Sequence, residues 1–153
     1  MGFSIERVIT WFLFEYRVLK YFKKNKLKKN ETVIVSSLSI LTFLTGVYLK
    51  KKFNIKLVVE VRDIWPQTLI DFNLISYRNP LFSFLSMIEK SGYSSANLIV
   101  GTMKNLPAHL DFIDKKLKKK FVYIPMGFDP DIQLRGDRLF SNKFIVGYAG
   151  SIG

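Results

Sequence analysis

Cysteine is missing altogether from this chain of 153 residues. Disulfides, thiolate zinc sites and cysteine nucleophiles are therefore excluded, and the absence suits a reducing cytoplasm. Histidine occurs once, at His109, which rules out multi-histidine metal sites and argues against a serine–histidine hydrolase. Acidic residues are scarce, 12 Asp and Glu against 24 Lys and Arg, for a formal net charge of +12. There is no internal repeat and no low-complexity linker. A cleavable signal peptide is not evident, because a basic leading region is lacking and Glu6, Arg7, Glu15 and Arg17 interrupt the first apolar stretch. Long hydrophobic runs are also wanting. The uncharged segment Val33–Leu49 is slightly short of the ~20 apolar residues a span needs, and it contains Ser36, Ser37, Ser39, Thr42, Thr45 and Gly46. It reads better as a buried strand followed by a helix.

What is present is enough for a core: 48% hydrophobic residues and 15% aromatics predict a folded chain. The positive charge is carried mainly by lysine, in runs at Lys20, Lys23, Lys24, Lys26, Lys28 and Lys29, at Lys50 to Lys52, and at Lys115, Lys116 and Lys118 to Lys120. Such a surplus favours anionic partners, although any one run can equally be a solvated helix end or turn.

Ile5, Val8, Ile9, Phe12, Leu13 and Tyr16 recur at helical spacing, continuing to Leu19 and Phe22, and Trp11, Phe14, Val18 and Tyr21 make the other side apolar too. A helix apolar nearly all round must be covered on more than one side, by protein or partly by a membrane surface. Its terminal lysines also suit the helix dipole, so charge alone does not choose. Strands are then predicted at Glu31–Ser36, Ile55–Val61, Asn97–Val100 and Phe121–Ile124. Helices are predicted at Leu38–Lys51, Pro80–Ser91 and Thr102–Phe112, with Pro80 at a helix start where its missing N–H is harmless. Apolar strands alternating with helices predict an α/β fold, a Rossmann-like parallel sheet flanked by helices. Residues 129–142 read as an irregular connection, and Lys143–Ala149 as the start of a fresh strand.

Taken in order, Val33–Ser37, Leu57–Pro66 (LVVEVRDIWP), Asn97–Met103 (NLIVGTM), Tyr123–Asp129 (YIPMGFD) and Gly147–Gly153 (GYAGSIG) resemble a group of bacterial family-4 glycosyltransferases with the two-domain GT-B fold. Members of this group build O-antigen, capsule and other surface polysaccharides. The resemblance runs over residues 5–153, and EVRDIWP paired with a later YAGSIG is its most specific part. It implies that residues 1–137 correspond to the latter part of an acceptor-side N-terminal domain. Residues 138–153 would be the connection and first strand of a donor-binding C-terminal domain. The family's glycine-rich loop after its first strand, its acidic pair and its basic residues for the donor diphosphate have no counterpart here, so the chain alone is expected to be inactive. The substrates implied are a nucleoside diphosphate sugar and a lipid-linked or saccharide acceptor, with no cofactor and no metal. The implied place is the cytoplasmic face of the plasma membrane, with Lys20, Lys23, Lys24, Lys26, Lys28 and Lys29 toward anionic lipid.

On their own chemistry, Arg62, Asp63 and Trp65 follow a parallel strand at the end where ligand crevices form. Arg62 can hold a phosphate or carboxylate bidentately, Asp63 can accept from sugar hydroxyls, and Trp65 can stack on a sugar ring. Alternatively Arg62 and Asp63 pair or cap the next turn, and Trp65 is core. Many relatives carry histidine where Arg62 stands, and asparagine where Met126 stands. Gly127 is expected to supply a turn with positive φ. Gly150 and Gly153 belong to a turn that can approach phosphate through backbone N–H groups. His109 has no obvious partner nearby in sequence and reads as a surface or packed histidine. Two other classes stand beside the enzyme: a basic nucleic-acid-binding protein, though no recognition motif is present and no nucleic acid is expected, and a scaffold subunit that pairs with a complementary chain through open sheet edges.

Overall fold

The computed structural model describes residues 5–125 and 127. The predictions for Met126, for residues 128–142 and for Lys143–Ala149, Gly150 and Gly153 fall outside the described residues. Contacts divide the chain into Ser4–Met126 and a second unit of Met1–Phe3 with Gly127–Gly153, and the sheet belongs to the first.

Four short apolar segments form strands: β1 (Thr32–Ser36), β2 (Lys56–Val61), β3 (Leu98–Gly101) and β4 (Phe121–Tyr123). They make one all-parallel sheet in the order β1-β2-β3-β4, as the alternation with helices predicts. The helices are α1 (Ile5–Lys24), α2 (Leu41–Phe53), α3 (Gln67–Asp71), α4 (Pro80–Ser95) and α5 (Leu106–Ile113), with a 3-10 turn at Leu117–Lys120. The uncharged stretch Val33–Leu49 is thus a strand and most of a helix. Among the described residues no helix is long and apolar enough to cross a membrane.

The register explains the core. Val35, Val59 and Ile99 are aligned across three strands, and all three are buried with Leu57 and Val61 of the same face. Phe43 and Val47 of α2 and Leu85, Ile88 and Tyr93 of α4 complete that cluster. Ile34, Val58 and Leu98 share the opposite register position. Ile34 is 68% exposed, so the edge strand buries one face far better than the other.

Local chemistry shifts several boundaries. α2 begins at Leu41 rather than Leu38 because serine side chains occupy the backbone groups before it: Ser39 Oγ accepts from Leu41 N–H at 3.3 Å, and Thr42 Oγ lies 2.8 Å from both the Ser36 and Ser39 carbonyls. α2 closes on Asn54, which takes a left-handed φ of 54° and returns its N–H to Lys50 O. At α4, Asn79 Oδ1 accepts from Leu81 N–H at 2.9 Å and Pro80 takes the first helical position.

One expectation is corrected. Gly127 does not have positive φ; among the described residues that conformation belongs to Asn54 and Asn73, asparagine being the side chain that best tolerates it. Among the described residues the protein covers one side of α1, which leaves open the alternative of partial cover by a membrane surface. Glu15 is buried and Trp11, Val18, Leu19 and Phe22 are half-buried, one stripe at helical spacing. Ile9, Phe12, Leu13, Phe14, Tyr16 and Tyr21 remain exposed, because among the described elements only α2 packs extensively against this helix.

Candidate substrate site at the C-terminal end of the sheet

Parallel strands deliver their C-terminal ends to one side of the sheet, where the connecting loops can form a crevice. Immediately after β1, Ser37 is 1% exposed. Its hydroxyl accepts from Arg62 N–H at 2.8 Å and Asp63 N–H at 3.0 Å, and donates to the Asp63 carbonyl at 3.2 Å. One hydroxyl has one donor and two acceptor positions, so this single oxygen is fully used in fixing the chain as it leaves β2. Ser37 N–H also donates to Glu60 O at 2.9 Å. Sequence reasoning misses Ser37, whose only signal is a polar residue ending an apolar strand.

With the backbone held there, the side chains of Arg62 and Asp63 are exposed. They do not pair with each other: among the described residues the one ion pair joins His109 and Glu89. Trp65 is half-buried and packs against the core. Its ring meets Trp11 edge-on, centroids 5.9 Å apart at 88°. Its Nε1 is buried with no hydrogen-bond partner among the described residues, an uncompensated donor at the wall of the loop. The arrangement therefore presents one cation, one hydrogen-bond acceptor and an indole within a four-residue span. Such a set suits a phosphorylated or hydroxylated ligand.

A second feature lies at the β1 edge. A cavity of about 530 Å³ runs between α1, β1 and α2, lined by Trp11, Phe14, Val35 and Leu49 among others, with Glu15, Ser36 and Thr45 as polar members. The Thr45 hydroxyl donates to Glu15 Oε2, whereas Glu15 Oε1 and Ser36 Oγ have no partner among the described residues. Burial pushes the Glu15 carboxyl above its ordinary 4.5, against the opposing Thr45 bond.

His109 is a packed histidine, one of the two readings its sequence context allowed, and its partner is remote in sequence. Its Nε2 lies 2.8 Å from Oε1 of Glu89 on α4, a residue 3% exposed. Glu89 is also raised above the carboxylate range by burial, with the His109 and Tyr93 bonds opposing. Burial and the Glu89 charge in turn raise Tyr93. The group is a satisfied contact between α4 and α5, and among the described residues no cluster of three His, Asp or Glu is placed to hold a metal.

Raised carboxyl values have a defined consequence for stability. The folded state binds these protons more tightly than the unfolded chain, so the contribution is complete below about pH 4.5 and is lost as pH rises through the higher folded values. Urea unfolding across this range should show stability falling as pH rises, and Glu15→Gln should flatten that slope. A steeper slope in Glu15→Gln would contradict the assignment.

Lys20, Lys23, Lys24, Lys26, Lys28 and Lys29 are all exposed, on the last turns of α1 and in the connection to β1. No protein-family model matches the chain, and no curated protein matches it.

Proposed function

We propose that residues 1–137 correspond to the latter part of the acceptor-side domain of a nucleotide-sugar-dependent glycosyltransferase of the two-domain GT-B type, acting in surface-polysaccharide synthesis. The observation that carries this reading is the RDIWP segment at the C-terminal end of β2, its backbone pinned by Ser37 and its Arg62 and Asp63 side chains turned to solvent. The sequence segments between Val33 and Gly153 that resemble the family, in the family's order along the chain, support it. In the intact reaction the bond between the sugar's anomeric carbon and the donor diphosphate breaks, and one to an acceptor hydroxyl forms. Stabilising the charge on the departing diphosphate is the main demand on the protein. In this reading Arg62 takes a phosphate of a lipid-linked acceptor, Asp63 accepts from its sugar hydroxyls, and Trp65 borders the ring. Gly150 and Gly153 would face the donor. An acceptor-side domain takes no donor by itself, so calorimetry of the purified chain against uridine and guanosine diphosphate sugars should give no binding beyond what inorganic pyrophosphate gives. Micromolar affinity that depends on the nucleoside or the sugar would overturn the acceptor-side assignment.

The reading places the protein at the cytoplasmic face of the membrane. Its support is the apolar outer stripe of α1 (Ile9, Phe12, Leu13, Tyr16) beside the six lysines from Lys20 to Lys29, each worth ~1 kcal/mol near an anionic surface. Co-sedimentation should rise with phosphatidylglycerol content and fall in a Lys23, Lys24, Lys26→Gln variant. Binding indifferent to anionic lipid would count against it. A second reading, a scaffold that pairs with a complementary chain, is favoured by one observation. Among the described strands β1 is paired on one side only, and it exposes Ile34.

A further inference from the structure

Two of the lysine runs, remote in sequence, meet at the opposite end of the sheet from the RDIWP loop. Lys50 lies in the last turn of α2, and Lys120 immediately precedes β4. Both approach the C-terminal end of α4, where backbone carbonyls are left without helical partners. Lys50 Nζ donates to Ser95 O at 2.5 Å and to Asn97 Oδ1 at 2.8 Å. Lys120 Nζ donates to Ser94 O at 2.8 Å and Ala96 O at 2.9 Å. Both side chains are half-buried, and they line, with Lys51, Asn54, Asn97 and Ser94, a cavity of about 540 Å³ that no carboxylate borders among the described residues.

A single cation suffices to complement a helix C-terminus; here two share one. Desolvation by burial, and secondarily the charge of Lys120, lower Lys50, and the two like charges oppose each other as they stand. An ammonium carries three N–H groups, and each of these has committed two, leaving one apiece beside the same cavity. Lys51 adds a third positive charge at the rim.

We propose that this cavity is an anion site that takes a phosphoryl group between Lys50 and Lys120, supplied either by a soluble phosphate compound or by a phospholipid headgroup. A bound phosphoryl oxygen accepts the two remaining N–H groups and cancels the repulsion between the ammoniums. The site is separate from the RDIWP loop, and it stands or falls independently of the glycosyltransferase reading.

The test uses the full chain, with inorganic pyrophosphate in calorimetry as one arm and phosphatidylcholine vesicles containing phosphatidylglycerol as the other. In the first arm Lys50→Gln with Lys120→Gln should weaken pyrophosphate binding by about tenfold or more, while Lys90→Gln with Lys104→Gln, of equal charge change, should not. If only vesicle binding responds to the Lys50 and Lys120 pair, the source is a headgroup. Equal losses in both double variants would reduce the effect to general positive charge and overturn the proposal, as would no binding in either arm. Should the double variant fail to fold, amide shifts of the native chain decide. Pyrophosphate or the headgroup must move Ser94, Ser95, Ala96 and Asn97, and shifts spread over the lysine-rich surface instead would contradict the site.

Discussion

Replacing Ser37 with alanine is expected to cost about 2–6 kcal/mol, since two backbone N–H groups, on Arg62 and Asp63, lose their acceptor together at about 1–3 kcal/mol each. The donor to the Asp63 carbonyl is lost as well. Because a domain of this size has only about 5–15 kcal/mol in total, urea unfolding should show a much lower midpoint with an unchanged slope. Hydrogen exchange separates this from general weakening: the Arg62 and Asp63 amides should lose protection well before those of β3. Uniform loss across the sheet would show that Ser37 supports the core rather than the loop. Since the same oxygen positions the residues assigned to substrate, the variant should also weaken ligand binding where the fold survives.

The second large effect lies where α2 meets α4. Phe43 is 1% exposed and packs against Tyr93, ring centroids 5.6 Å apart. It can sit so close to α4 because residue 92 is glycine: a Cβ there would lie 2.5 Å from Phe43 Cδ2 and 2.8 Å from Cγ. Phe43→Ala should cost about 3–5 kcal/mol, from lost burial and the cavity left behind. Gly92→Ala gains about 1 kcal/mol of helix propensity but overpacks the contact by about 1–3 kcal/mol, so a net destabilisation is expected. The two changes share one space, and the new methyl enters the room the ring vacates. The double variant should therefore be more stable than additivity predicts, by about 0.5–3 kcal/mol. Strict additivity in denaturant unfolding would place the two groups out of contact.

The sheet was legible because its strands are compact β-branched and leucine-rich runs, IVS, LVVEV and LIV, separated by segments with helical periodicity. What was not legible depends on contacts between distant residues. Nothing local announces that Ser37 holds Arg62 and Asp63, or that His109 meets Glu89 across α4 and α5. The short helix α3 escaped notice because QTLID is only one turn long and follows a proline-containing loop. The breadth of apolar residues on α1 gave the composition of the helix correctly but not its cover, since periodicity cannot tell which partner lies opposite. Lys50 and Lys120 looked like two solvated runs, and only the parallel topology brings both to the same helix end. Arg62, Asp63 and Trp65 were legible as a group by position after a strand, whereas the edge-on packing of Trp65 against Trp11 was not.

The acceptor-side reading is tested most directly by one titration: a diphosphate-linked saccharide lipid, presented in phosphatidylcholine vesicles, against the full chain and its Arg62→Ala variant. The predicted result is retention on the loaded vesicles, with about tenfold weaker binding in Arg62→Ala and none of that difference on bare vesicles. Equal binding by the two proteins, or equal binding to loaded and bare vesicles, would contradict the assignment of the RDIWP loop to a sugar acceptor.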